Sequence, residues 1–316
     1  MNPKSFFAKT AILFSLLLIS FSAYSLDADE EAEPAKEPSE KAEASDTAQE
    51  RSFSQQVASK PPQVMEHEKH GDLGAAATDP TAALLSFRLQ NQYTSSYRNA
   101  EGYGNAALFQ AVIPAKMPFK TVPSLIQRFT LPYVTTPNVN GSGHKTGMGD
   151  SGLLQLFVTD WLGKGQVFAF GPAWTIPTAG DNEATGSGQW QVGANFVYMN
   201  SKTPQLQWGV LMFNQRDFAK TRDNAKDVST LNIQPIFTKH FDKGWYVAPP
   251  DVPQTYNFKT NTWTLALGGV VGRVFPVAGK PTQIYGGIYY NPVSENDIVS
   301  SKWTFKFNWS FLIPMK

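Results

Sequence analysis

The sequence predicts an all-β fold: a transmembrane antiparallel up-and-down β-barrel of about twelve strands behind a disordered N-terminal tail. Three observations predict it. Apolar and polar residues alternate with period two from Leu84 to the C-terminus. After the N-terminal apolar run, no stretch is apolar for long enough to cross a bilayer as a helix, so a membrane-embedded chain must cross with strands. The connections between the alternating runs are short and long in turn, as in outer-membrane barrels.

Composition narrows the function classes. The 316 residues hold 27 Lys+Arg against 26 Asp+Glu, and 17% charged beside 13% aromatic residues. No cysteine is present, which excludes a disulfide framework, a thiol nucleophile and a Cys-based metal site, and four His leave little from which to build a metal enzyme. No cofactor is expected. The near-neutral total hides a segregation. Ten acids and two lysines put residues 26–50 at about minus eight, whereas Thr81 to Lys316 carries about plus eight in scattered cations, which is no nucleic-acid footprint.

Lys4 and Lys9, the apolar run from Ala11 to Phe21, and small Ala23 and Ser25 read as a cleaved signal peptide over residues 1–25, as in an exported protein of a Gram-negative cell. Residues 26–80 are rich in Glu, Ala, Pro, Ser and Lys with almost no aromatics, too little apolar area to offset ordering entropy, and read as a disordered acidic periplasmic tail or linker. The barrel is assigned to residues 81–316.

Strands are expected near 84–95, 105–113, 124–134, 150–160, 165–176, 188–199, 205–214, 228–239, 244–257, 262–275, 281–291 and 301–313. The last is the clearest: Trp303, Phe305, Phe307, Trp309, Phe311 and Ile313 alternate with Lys302, Thr304, Lys306, Asn308 and Ser310. With the first strand running outward, the inner turns are Asp160 to Lys164, Asn200 to Pro204, His240 to Gly244 and Pro276 to Lys280. The long outer loops include Thr135 to Gly149, Pro177 to Ser187 and Asn214 to Asp227. Two places fit less well: a long inner connection from Pro114 to Pro123, and Pro249, Pro250 and Pro253 inside the ninth strand.

A soluble secreted β-sandwich has the same periodicity, with the greasy faces turned into a core. The barrel is favoured by aromatics near strand ends (Tyr133, Trp161, Trp174, Trp190, Trp245, Trp263 and Trp303) and by polar faces rich in Gln, Asn and Thr. Alternation then places Arg88, Gln90, Gln92, Arg128, Gln189, Gln191, Asn195, Asn232, Gln234, Lys302, Lys306 and Asn308 on the lumen as pore-lining candidates. The strands carry too few acids to neutralise these cations, so water or an anionic ligand is expected beside them, in a narrow or plugged passage that prefers anions. The acidic tail could stop that lumen from the inner side.

The run Gly147-Met148-Gly149-Asp150-Ser151-Gly152-Leu153-Leu154 is followed by Phe170-Gly171-Pro172-Ala173-Trp174-Thr175-Ile176-Pro177-Thr178-Ala179 and Gly186-Ser187-Gly188-Gln189-Trp190-Gln191-Val192-Gly193. Together these segments resemble bacterial outer-membrane proteins of the family associated with meta-pathway phenol degradation, some members of which carry the name neuromedin U. The resemblance covers about Ala83 to the C-terminus and rests on Gly149, Asp150, Gly171, Pro172, Pro177 and Thr178 as a structural motif. It implies an outer-membrane barrel that passes small hydrophobic or aromatic compounds, and it carries over no catalytic or binding residues.

Enzymatic readings are weak. Gly149-Asp150-Ser151-Gly152 matches the surroundings of a serine-protease nucleophile, but no His-bearing motif accompanies it, and a Gly-Asp turn with Asp150 capping nearby N–H groups explains it better. His67 and His70 lie three apart in the tail without the closed ligand set of structural zinc. The loop from Arg216 to Asp227 interleaves charges and is expected to be solvated, with its cations free to pair with anionic outer-leaflet lipid, including lipopolysaccharide. The expectation is therefore a non-enzymatic channel or transporter whose partners are this lipid, the barrel-insertion machinery and a small solute. A non-conducting structural or partner-binding barrel is the alternative.

Overall fold

A computed structural model describes residues 74–314, apart from 181, 204 and 294–298. The signal-peptide reading, the acidic stretch up to residue 73, and His67 and His70 lie outside the described residues.

Twelve antiparallel strands form one sheet that closes on itself. In chain order they are Leu84–Thr94, Gly104–Phe119, Val122–Thr135, Ser151–Val158, Gln166–Ile176, Gln189–Thr203, Leu206–Lys220 and Ser229–His240; a ninth in two pieces, Trp245–Ala248 and Gln254–Asn257; a tenth in two pieces, Thr262–Thr264 and Leu267–Val277; then Lys280–Tyr290 and Trp303–Pro314. Each pairs with its chain neighbour. The twelfth returns to the first in unbroken register from Leu84↔Pro314 to Thr94↔Thr304, which closes the barrel.

The side-chain period decides between barrel and sandwich. Along the twelfth strand Trp303, Phe305, Phe307, Trp309, Phe311 and Ile313 are 39–53% exposed, whereas Thr304, Lys306, Asn308, Ser310 and Leu312 are at most 3% exposed. A soluble sandwich would bury the greasy face; this strand turns it outward and encloses the polar one. Tyr133, Trp161, Trp245, Trp263 and Trp303 are also exposed on the outside.

Two expected connections differ. The segment from Pro114 to Pro123 is no loop: the second and third strands run on to a turn at Lys120-Thr121, with a register shift between Lys116 and Phe119. Pro114 is tolerated because it lies beyond Val112, the last residue paired with the first strand, on an edge where a missing N–H breaks no ladder bond. The seventh strand likewise reaches Lys220, which shortens the loop expected from Asn214 to Asp227. Elsewhere the turns are tight. Ala278 and Gly279 both have positive φ, 49° and 75°, which is what a two-residue hairpin turn needs to follow strand twist.

The longest break in the wall among the described residues lies in the ninth strand. Trp245–Ala248 pairs with Arg273 to Val270, and Gln254–Asn257 pairs with Ile233 to Thr230, but Pro249 to Pro253 has no ladder partner. Three prolines cannot donate to a ladder, so this piece leaves the sheet, and Asp251 reaches groups on the inner faces of the eighth, eleventh and twelfth strands.

Inside, the side chains are not uniformly polar. Val112, Ile126, Leu154, Leu156, Val158, Ala169, Val197, Met199 and Leu211 form a buried aliphatic cluster across the second to seventh strands. A second cluster joins Leu84, Tyr246, Val270, Val274, Tyr285 and Leu312 to Ala77, which precedes the first strand. Residues 74–78, read from the sequence as part of the tail, make one turn of helix whose Ala77 is thus packed inside the barrel. The run Gly74-Ala75-Ala76-Ala77-Thr78 is small enough to enter a lumen already furnished with side chains.

Candidate functional site: the barrel lumen

The helical turn is held at the end of the barrel that carries the tight turns. Gln207 Oε1 accepts from the Thr78 hydroxyl at 2.7 Å and lies 2.9 Å from Nε2 of His240, while Gln207 Nε2 donates to Ser201 Oγ at 3.0 Å. Gln283 Nε2 donates to the Ala77 carbonyl at 3.4 Å and to the Tyr246 hydroxyl at 3.0 Å. Asp79 then turns the chain toward the first strand, its Oδ1 accepting from the Thr81 N–H at 2.8 Å and the Thr81 hydroxyl at 2.6 Å, and its Oδ2 from Ser201 at 3.4 Å. Burial pushes the Asp79 carboxyl above the usual range, and the bonds from Thr81 and Ser201 offset this only in part.

The in-folded Asp251 organises a second layer. Its Oδ1 accepts from Gln234 Nε2 at 2.7 Å and its Oδ2 from the Tyr285 hydroxyl at 3.1 Å. Lys306, whose side chain is 0% exposed, donates to the Asp251 carbonyl at 2.6 Å and sits 3.6 Å from Oδ2. Tyr285 in turn accepts from Gln90 Nε2 at 2.7 Å, and Asn308 Nδ2 donates to Ser310 at 2.7 Å. A lone lysine in this position would be costly, and the acid that neutralises it comes from a broken strand, not from a neighbouring ladder.

Between the two layers lies a cavity enclosing about 1030 Å³ of space between atoms, part of it open to solvent. Its walls come from the entering segment (Ala76 to Ala82), the in-folded Pro249 to Asp251, aliphatic Val112, Ile126, Leu154, Leu156, Leu211 and Val270, and the cations Arg88 and Arg128.

The structure places the sequence-selected residues unevenly. Gln90, Gln189, Gln191, Asn195, Asn232, Lys306 and Asn308 are buried. Arg88, Arg128 and Gln234 are half-buried on the cavity, and Gln92 accepts from the Tyr289 hydroxyl at 3.1 Å. Lys302 lies just before the twelfth strand, half-buried and outside the cavity lining, with its N–H on the Ser96 carbonyl. Asp251, Asp79 and residues 74–78 belong to no alternating run that would place them at the site from sequence; for Asp251 the signal in the sequence is the Pro-Pro-Asp-Val-Pro interruption.

The Gly-Asp and Gly-Pro segments serve the wall and the loops. Asp150 Oδ2 accepts from the N–H and hydroxyl of Ser187 at 2.6 and 2.7 Å, and Oδ1 from the Ala179 N–H at 3.3 Å. The Thr178 hydroxyl donates to the Gly149 carbonyl at 2.7 Å and lies 2.8 Å from Ser151 Oγ. Pro177 opens the loop thus tied to the start of the fourth strand. His144 bonds the Thr136 carbonyl through Nδ1, so the serine faces a threonine and this histidine a backbone oxygen. A Cβ at Gly171 would stand 2.1 Å from the Gln155 carbonyl, and Pro172 beside it cannot donate; Asn195 Nδ2 satisfies that carbonyl at 3.1 Å. In the charged loop Lys220 and Lys259 pair with Asp227 at 2.9 and 3.5 Å and hold its carboxyl below the ordinary range.

Among solved structures, the chain is similar to an outer membrane channel from Pseudomonas putida F1, with a TM-score of 0.52 and 13% identity over 73% of this chain and 94% of that one. No family model and no curated protein matches the sequence. At that identity the likeness is one of fold, and this chain's own fold is a closed barrel of twelve strands.

Proposed function

We propose that this protein is an outer-membrane channel or transporter for small apolar solutes, exported with loss of residues 1–25. The observation that carries this reading is the cavity: its lining is mostly aliphatic, it lies inside a closed barrel, and the entering segment stands across one end of it. A polar pore would have polar walls throughout. The gap in the sheet beside Pro249 to Pro253 offers such a solute a sideways path that ions would not favour. The tight-turn end is assigned to the periplasm and the long loops to the cell exterior. The resemblance to the phenol-degradation family agrees with hydrophobic or aromatic cargo.

Planar-bilayer conductance of the refolded protein lacking residues 1–25, with a heat-dependent gel shift as the folding control, tests this. Small or absent steps in the full protein and larger, anion-preferring steps after deletion of residues 26–82 are expected. Unchanged conductance after the deletion would show that the entering segment does not limit passage. A non-conducting structural barrel is favoured by the filled Asp251 layer, and it predicts silence in both proteins.

A further inference from the structure

Resting on that channel reading, we propose that the lumen contains a binding site for a monocarboxylate with an apolar body, its charge held by Arg88 and Arg128 and its body by the aliphatic wall beside them. Both arginines line the cavity. They project from the first and third strands, and the second strand between them places Gln110 opposite Arg88 and Val112 opposite Arg128.

Among the described residues neither guanidinium has a carboxylate within ion-pair distance. Among the described residues Arg88 makes one long hydrogen bond, 3.4 Å to Ser86 Oγ, and Arg128 makes no hydrogen bond or ion pair. The Asp251 carboxylate is already taken by Gln234, Tyr285 and Lys306. The other acid on the cavity, Asp79, is engaged by Thr81 and Ser201 at the far layer. Three cations therefore share one committed carboxylate, in a place where an uncompensated charge is costly. Guanidinium forks match a carboxylate in plane and in spacing.

The rest of the wall sets the rest of the ligand. Ile126 and Val112 precede and face Arg128, and Leu154 is its ladder partner, with Leu156 and Leu211 beyond. An inorganic anion would satisfy the arginines and leave that surface wet, and a neutral hydrocarbon would do the reverse. An amphipathic carboxylate satisfies both.

The test uses the full chain in lipid nanodiscs, with empty nanodiscs as background, and radiolabelled decanoate beside radiolabelled decanol. Saturable decanoate binding is expected to weaken about tenfold or more in Arg88→Gln/Arg128→Gln, as for loss of charged hydrogen bonds, while decanol changes less than about twofold. Asp251→Asn, which removes the competing negative charge, is expected to tighten decanoate. If the double variant loses its heat-shifted gel band, the wild-type protein decides: decanoate affinity must fall as salt rises while decanol affinity does not. Equal binding of the two probes, unaltered by variant or salt, would overturn the carboxylate site and leave the apolar channel standing. Failure of both probes to bind would overturn the site and the apolar-cavity reading together.

Discussion

The twelfth and ninth strands cross the same barrel and obey opposite rules. The twelfth keeps strict alternation for its whole length and pairs on both sides, with the first and eleventh strands, so each residue's fate follows from its parity. The ninth holds three prolines, pairs only at its ends, and sends its middle into the lumen. The regular strand makes the wall, and the broken one supplies the acid that lets the wall enclose Lys306. The difference shows how a barrel acquires chemistry: an unpaired stretch can turn inward and bring one side chain, Asp251, to groups on three other strands.

The largest effect is expected at the regular strand. Phe307, one residue from the enclosed Lys306, faces outward at 53% exposure. Phe307→Arg is expected to cost about 2–4 kcal/mol in a bilayer, read from urea unfolding in liposomes, because a cation on the lipid face near mid-strand cannot be solvated. No loss would mean that this face does not meet lipid.

The broken strand gives the next effect. Asp251→Ala leaves Lys306 enclosed without its acid and is expected to cost about 2–3 kcal/mol, below the full value for a buried pair because Asp251 is partly exposed. Asp251→Ala/Lys306→Met should recover most of that loss. A double variant no better than the single one would show that the in-folded loop matters through its backbone.

Asp150→Ala should be milder, about 1 kcal/mol, since the carboxylate is half-buried and its bonds to Ser187 and Ala179 hold one loop. Its signature is local: faster hydrogen exchange at residues 177–188 with the wall strands unchanged.

The smallest effect is the pH response of the entering segment. Burial raises the Asp79 carboxyl, so the docked form favours the protonated acid. Docking is then tightest below the ordinary carboxyl range and weakens as pH rises through the raised value. Protease sensitivity of residues 74–82 should increase over that window in the wild type and stay flat in Asp79→Asn; an equal response in both would assign the dependence to another group.

Much of the wall was legible because strand period and turn chemistry are local. The closing pattern from Trp303 to Ile313 announces its two faces, and proline clusters announce that something stops. At Pro114 the same signal misled, since a proline on a sheet edge continues a strand; at Pro249 to Pro253 it marked a true break. The inner aliphatic cluster was less visible, because the fourth strand is apolar on both faces around Leu153 and Leu154 and its parity cannot be read from pattern alone.

By itself the sequence determined an all-β chain with about twelve crossings and the outward placement of the aromatics on its last strand, because alternation and hairpin length act between residues close in the chain. Only the tertiary structure decided what fills the lumen. Asp251 meets Lys306 across 55 residues, and Ala77 meets Gln283 across 206. Such contacts depend on closure of the sheet, which brings together side chains whose spacing in sequence carries no period. For the same reason the two arginines facing the cavity could be placed on an inner face from the sequence, but that no carboxylate of the described residues pairs with them could be seen only once the acids had been placed.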